Sequence, residues 1–402
     1  MVIKGRKLTR GGLLAGIVAI PVLLLRPVLV VRLVRFHPAF GNVLRSPLYY
    51  LLKREHEKLL KSRRCLDLAF WVGDTPTDSL ARFWRRQIRI VQDPIPRFFP
   101  KMLNVISWYW LRNSRMTGHV VSLTSPHDMV SELINSRTFS AERMLDEFEK
   151  RDVQNCLASL GVLPSQPIAL IHIRNADHDL LSSSEFDSRC ANADPRTFQK
   201  SVDHLKSLGF AVISVGNPPS SPSYLDGVIE YHRSSFRTPL RDLTLGSVAS
   251  LFIGTAVGAP TGLPLLFRLP FLSTNHQIGN SNVTVEPLSY GRTVLLPKNM
   301  RSTNGFLGHG ECLRRELPNS DRVLAELGIT ADDNEAEDIL AGLKELLELG
   351  DDEEAWARVR KSPNQQAFYE IFDSNTTLPR ICRDESAIVS PSFLKKFPHW
   401  LK

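Results

Sequence analysis

Apolar residues along this chain gather into short uninterrupted runs separated by amphipathic stretches, the pattern of a parallel sheet covered by helices on both faces. Val28–Val34 reads as a strand, Leu44–Leu60 as a helix, Cys65–Val72 as a second strand, Ser79–Arg86 as a helix and Gln87–Val91 as a third strand. Asp93-Pro-Ile-Pro breaks the pattern, after which Met102–Arg112 reads as an aromatic-rich helix and His119–Leu123 as a short strand. Residues 128–160 read as helical and connecting. A second alternating series opens at Pro167, with Ile168–Ile173 a buried strand by its unbroken apolar character. Asp194-Pro195 gives an N-cap with proline at the first helical position, opening a helix that stops at Gly209. Phe210–Val215, Val228–Tyr231, Leu251–Ile253 and Phe271–Ser273 follow as strands, with a short helix over Thr261–Phe267. Apolar spacing at Ile339, Leu340, Leu343, Leu346 and Leu347 predicts one amphipathic helix in the acidic stretch Asp332–Glu354.

These elements predict an α/β chain of two Rossmann-like parallel-sheet domains facing a cleft, residues 28–160 and 161–325. Residues 1–27 form an apolar membrane-associating segment in this reading. Residues 326–402 form a C-terminal helical segment that packs back on the N-terminal half, with Phe393–Leu401 an amphipathic end returning to it or to the membrane.

The N-terminal segment has its own logic. Lys4, Arg6, Lys7 and Arg10 precede fifteen residues without charge, Gly11–Leu25. As a helix this run reaches about 22 Å, short of a hydrocarbon core of about 30 Å. No small-x-small cleavage site follows Leu25, which argues against a signal peptide. A membrane-dipping anchor is preferred over a span running on to Val31 or a buried first helix, and the leading cations favour a cytoplasmic N-terminus.

Composition narrows the classes. With 402 residues, 43% hydrophobic and 23% charged, the chain is too apolar for disorder and too polar for a polytopic membrane protein. Five cysteines lie far apart without a CxxC pair, excluding a zinc ribbon or a secreted disulfide scaffold and making a reducing compartment the default. The net charge of +8 conceals an asymmetry: residues 1–120 hold 22 Lys and Arg against 6 Asp and Glu, giving +16, and the remainder holds 28 against 36, giving −8. A basic N-terminal half suits anionic headgroups, whereas no aromatic stacking motif accompanies it, so nucleic acid is not the expected partner.

Three segments carry candidate chemistry. In His172-Ile-Arg174-Asn-Ala-Asp177, alternation puts His172 and Arg174 on one face with the guanidinium at the strand's mouth, where it suits phosphate oxygens; an Arg–Asp pair closing a loop is the packing alternative. Phe252-Ile-Gly254-Thr255-Ala-Val-Gly258 reads as a strand ending in a small-residue turn before a helix, offering amides to an anion or simply packing tightly. In Phe36-His37-Pro-Ala-Phe40-Gly41-Asn42, Gly41 admits close backbone approach and Asn42 caps the next helix. One DxD triplet, Asp177-His178-Asp179, is expected by chance. HExxH, GxSxG and cysteine–histidine clusters are absent, so no metal site is expected.

The strings Arg26-Pro27 with Arg32 and Arg35, Ile171–Asp177, Gly209–Gly216, Leu251–Thr255 and Ser390–Leu394 resemble those of a group of mostly uncharacterised bacterial glycosyltransferases. That group looks like a distant relative of the GT-B fucosyltransferases, and the resemblance runs through nearly the whole chain. His172-x-Arg174-x-x-Asp177 is similar to the string by which fucosyltransferases hold the diphosphate of GDP-fucose. Phe40-Gly41-Asn42 looks like their loop near the diphosphate and acceptor, and Gly254-Thr255 like the turn that touches the diphosphate from the other side. Val43 stands where those enzymes often carry glutamine.

The resemblance implies a GT-B-like glycosyltransferase using a nucleotide-diphosphate sugar, GDP-sugar favoured, without metal or other cofactor. Its acceptor would be lipid-linked or a surface polysaccharide, at the cytoplasmic face of a bacterial inner membrane. Donor contacts fall on Gly41, Asn42, His172, Arg174, Asp177, Gly254, Thr255 and Gly258, with His37 the candidate base ahead of Glu55 and Arg174 the charge-neutralising group. Alternatives are pyruvyl or heptosyl transfer on the same fold, or a non-catalytic membrane-bound subunit of polysaccharide assembly.

Overall fold

The structure is a computed structural model describing residues 10–25, 29–36, 40–59, 65–72, 77–90, 98–111, 116, 120–122, 144–174, 192–216, 225–255, 262–276, 290–318, 320–375 and 386–402. The chain divides into two compact units, Met1–Ser125 and Pro126–Lys402, so residues 126–160, expected in the first domain, group with the second.

The first unit is built on a parallel sheet of β1 (Val30–Phe36), β2 (Cys65–Trp71) and β3 (Val120–Ser122), with β1 in the middle. β1 is buried along most of its length because both its faces are covered. On one face lie α1 (Arg10–Leu25) and α4 (Phe98–Leu111). Val31, Leu33, Phe70 and Val120 of the sheet pack there with Leu103, Ile106 and Trp110 of α4. The other face meets α2 (Phe40–Leu59), whose Tyr50 ring packs edge-on to Phe36 at 5.9 Å. On that face Arg32 bonds Asp67 through Nε and a terminal nitrogen at 2.7 and 2.8 Å, and the Tyr50 hydroxyl donates to the same carboxylate at 2.7 Å. Arg32 is thus a structural cation, held directly opposite Asp67 in the strand register.

The N-terminal run does form a helix, but α1 buries Ala15 and Val22 in this core, and the Trp110 indole donates to the Ala15 carbonyl at 3.1 Å. No described helix is long and apolar enough to cross a membrane. The expectation of a separate membrane-associating segment is corrected accordingly: one face of α1 belongs to the fold. α3 (Asp78–Arg85) follows β2, and Gln87–Val91, expected as a strand, contributes only an isolated bridge from Ile90 to Ala69.

The second unit centres on a six-stranded sheet, parallel throughout: β4 (Ile168–His172), β5 (Ala211–Ser214), β6 (Leu251–Thr255), β7 (Phe271–His276), β8 (Thr293–Pro297) and β12 (Ile388–Val389). Their spatial order is β12-β8-β7-β6-β4-β5. A small antiparallel sheet, β9 (Asn299–Ser302), β10 (Gly305–Phe306) and β11 (Ile329–Asp332), lies beside it in sequence. Helix α5 (Glu147–Ser159) starts in a full capping box, with Asp146 and Glu149 each accepting from the other's amide. Asp194 caps a 3-10 turn, Pro195–Phe198, that runs on into α6 (Gln199–Ser207), and Gly209 ends it at φ 86°.

Val228–Tyr231 is not a strand: only Ile229 bridges, to Ile213. The amphipathic helix, Ala336–Leu349, buries Ile339, Leu343 and Leu346 against the sheet, where Gly342 lets it approach Leu272 and Leu296. The C-terminal segment, expected on the N-terminal half, buries Phe393, Leu394 and Trp400 in the core of the second unit instead. Its stability is explained by that apolar burial, about 1.5–3 kcal/mol for each large side chain.

Candidate functional site

In the second unit the chain goes from β4 to β5 on one side, then returns past β4 to lay β6 on the other. Connections from β4 and β6 therefore leave in opposite directions, opening a crevice at the carboxyl ends of these two strands, where ligands of open α/β sheets bind. The residues singled out from sequence end these very strands. His172 is the last residue of β4, Arg174 lies two residues beyond, and Thr255 closes β6. His172 and Arg174 are each 7% exposed and Thr255 is fully buried.

The backbone here is pinned. The Arg174 amide donates to the Thr255 hydroxyl at 3.2 Å, and the Ala193 amide donates to the Arg174 carbonyl at 2.9 Å. The His172 Nδ1 lies 3.2 Å from the Val215 carbonyl, just past β5. A carbonyl only accepts, so Nδ1 carries a proton in this contact. The Arg174 backbone, the His172 ring and the Thr255 hydroxyl are thereby tied together at the strand ends.

Gly254 has a different reason to be glycine from the one expected. It lies within β6 opposite His172, and a Cβ there would come within 2.5 Å of the His172 carbonyl oxygen. Close strand approach, not a turn, demands it. The Thr274 hydroxyl donates to the Gly254 carbonyl at 3.2 Å, extending the polar edge to β7. There sequence reading stopped at Ser273 and missed Asn275 and His276, both buried. Asn275 adopts φ 51° and exchanges bonds with Asn334: each amide donates to the other's side-chain oxygen, at 2.6 and 2.8 Å. Its own Nδ2 is buried with no partner among the described residues. The signal was present in Phe271–His276 itself, which turns from apolar to Ser-Thr-Asn-His along its length.

Of the other candidates, His37, Asp177 and Gly258 lie outside the described residues. Gly41 and Asn42 fall inside the first turn of α2, so Asn42 does not stand before the helix as a cap; Glu55 is on the same helix. In the first unit the reversal point is the carboxyl end of β1, between β2 and β3. Arg35 lies there, donating to the Asn104 side chain at 3.3 Å, with its Nε buried and without a hydrogen-bond partner among the described residues; burial lowers its pKa. Among the described residues no group of three or more His, Cys, Asp or Glu could hold a metal ion.

No family model and no curated protein matches the sequence. Two solved structures are similar in layout. One is a glycosyl transferase family 9 protein from Veillonella parvula DSM 2008, at 14% identity over 66% of this chain and 85% of that one, with a TM-score of 0.38. The other is the ADP-heptose lps heptosyltransferase II of E. coli, at 10% identity over 79% and 98%, with a TM-score of 0.37. Neither is a fucosyltransferase, and likeness this slight carries no chemistry across. The resemblance of the quoted strings to fucosyltransferases has no support in these two structures.

Proposed function

We propose that the second unit binds the diphosphate of a nucleotide sugar and that the chain is a glycosyltransferase of GT-B type. One observation carries the reading: Arg174 and Thr255 are bonded to each other at the strand-order reversal, the place where an open α/β sheet takes its ligand. A guanidinium carried on that pinned stretch of backbone would neutralise charge that builds on a departing diphosphate. Buried histidines, His172 and His276, add ring nitrogens to the same edge.

In this reading Arg174 opposes the leaving-group charge without a metal or other cofactor. Asp177 and Gly258, from the same strand-end segments of the sequence as Arg174 and Thr255, are the further donor contacts proposed. The donor is a GDP-sugar in preference to other nucleotide sugars, on the strings quoted above, and the acceptor is a lipid-linked glycan or surface polysaccharide. Thermal-shift screening against GDP-, UDP-, ADP- and CMP-sugars tests this. A rise in melting temperature with a GDP-sugar, lost in Arg174→Ala, is expected; a folded protein indifferent to all four classes contradicts it.

A further inference from the structure

Helices α1 and α4 cover the same face of the first unit's sheet and bond to each other through Trp110 and Ala15. Their outward faces are apolar. Ile17, Ile20 and Leu24 of α1 are 59%, 62% and 75% exposed, and α4 continues the surface with exposed Val105, Trp108 and Leu111. Charge is absent from Gly11 to Leu25, and between Lys101 and Arg112 there is none either. Exposed large apolar residues of the second unit, by contrast, are scattered over separate elements. Neighbouring apolar faces on two packed helices mark an interaction surface.

Charge decides what that surface meets. Lys4, Arg6, Lys7 and Arg10 precede the apolar run of α1 and Arg26 follows it, while Lys101 and Arg112 bracket the exposed residues of α4. No acid occurs before Glu55, nor between Asp93 and Asp128. Two copies of this chain meeting face to face across a twofold axis would oppose stretches that carry cations and no acid, which disfavours self-association. An anionic bilayer offers the reverse: headgroup charge for the cations, acyl chains for the isoleucines and leucines, and an interface suited to Trp108.

We propose that α1 and α4 together form a docking face that lies flat on an anionic lipid surface, with the outer residues of both helices entering the headgroup–acyl boundary. It stands apart from nucleotide binding and is read without it. Flotation of the full-length protein with phosphatidylcholine vesicles and with equimolar phosphatidylcholine–phosphatidylglycerol vesicles tests the idea. Expected are recovery with the anionic vesicles, weakening with salt, and a loss of at least about tenfold in Ile20→Asn/Leu24→Asn and in Trp108→Gln. These positions are exposed, so both variants should keep the wild-type melting temperature, and a lipid-induced blue shift of tryptophan emission should disappear in Trp108→Phe. Binding that these variants leave intact, or no binding by the wild type, overturns the proposal. A wild-type dimer that the same variants dissociate would assign the face to a second copy.

Discussion

At Gly254 the absence of one carbon is a structural requirement. Replacing it by alanine sets a methyl group 2.5 Å from the His172 carbonyl oxygen, a backbone atom that moves only if β4 and β6 separate. Gly254→Ala should cost about 1–3 kcal/mol, read as a lower urea midpoint. Arg35 poses the opposite case: a half-buried cation whose single side-chain bond among the described residues is to the neutral Asn104. An apolar replacement relieves its desolvation, so Arg35→Met is expected to raise the melting temperature. No change or a fall would mean that the guanidinium stabilises the fold.

His309 completes the residue scale. It is fully buried and stacked on Phe368 at 4.7 Å and Trp400 at 5.3 Å, and burial pushes its pKa down to about 3 from an ordinary 6.5. The folded chain keeps the ring neutral while the unfolded chain takes up a proton near pH 6.5. Stability is thus present above that pH and lost as pH falls towards 3, by about 1.4 kcal/mol for each pH unit in that window. His309→Phe keeps the stacking and should flatten this acid limb in denaturation measured from pH 7 to 4.

Among the elements, the Asp146–Glu149 capping box makes α5 a direct test of local signals: Asp146→Ala should cost about 1 kcal/mol of stability. That box was not singled out from the sequence; the Asp194-Pro195 cap was legible from its residue types, and runs like Ile168–His172 and Leu251–Thr255 because burial on both faces leaves an unbroken apolar string. Gln87–Val91 and Val228–Tyr231 have the same look, yet each makes a single bridge, since apolar character reports burial and not pairing. β12 shows the reverse. Ile388 pairs with Val294, almost a hundred residues earlier, and two residues carry no period to detect. The candidate site was legible at His172, Arg174 and Thr255, which end apolar strands. Asn275 was not, because its role depends on Asn334 and on a positive φ that no local pattern announces.

For the molecule as a whole, +16 in residues 1–120 and −8 beyond follow the division of the chain closely. In sequence the cations flank the apolar runs of α1 and α4, and the candidate anion site belongs to the unit with the acidic balance, where a buried arginine and not bulk charge would do the binding. Residues 126–402 hold their own core from Ala169 to Trp400, so expressed alone they should melt in one cooperative transition. Calorimetric titration of GDP-sugar into the full-length protein and into Arg174→Ala tests the central claim most directly. Loss of a charge-assisted contact to phosphate predicts binding about ten- to a hundredfold weaker in the variant. Equal affinity in the two proteins, or no heat with a folded wild type, would contradict a diphosphate site at Arg174.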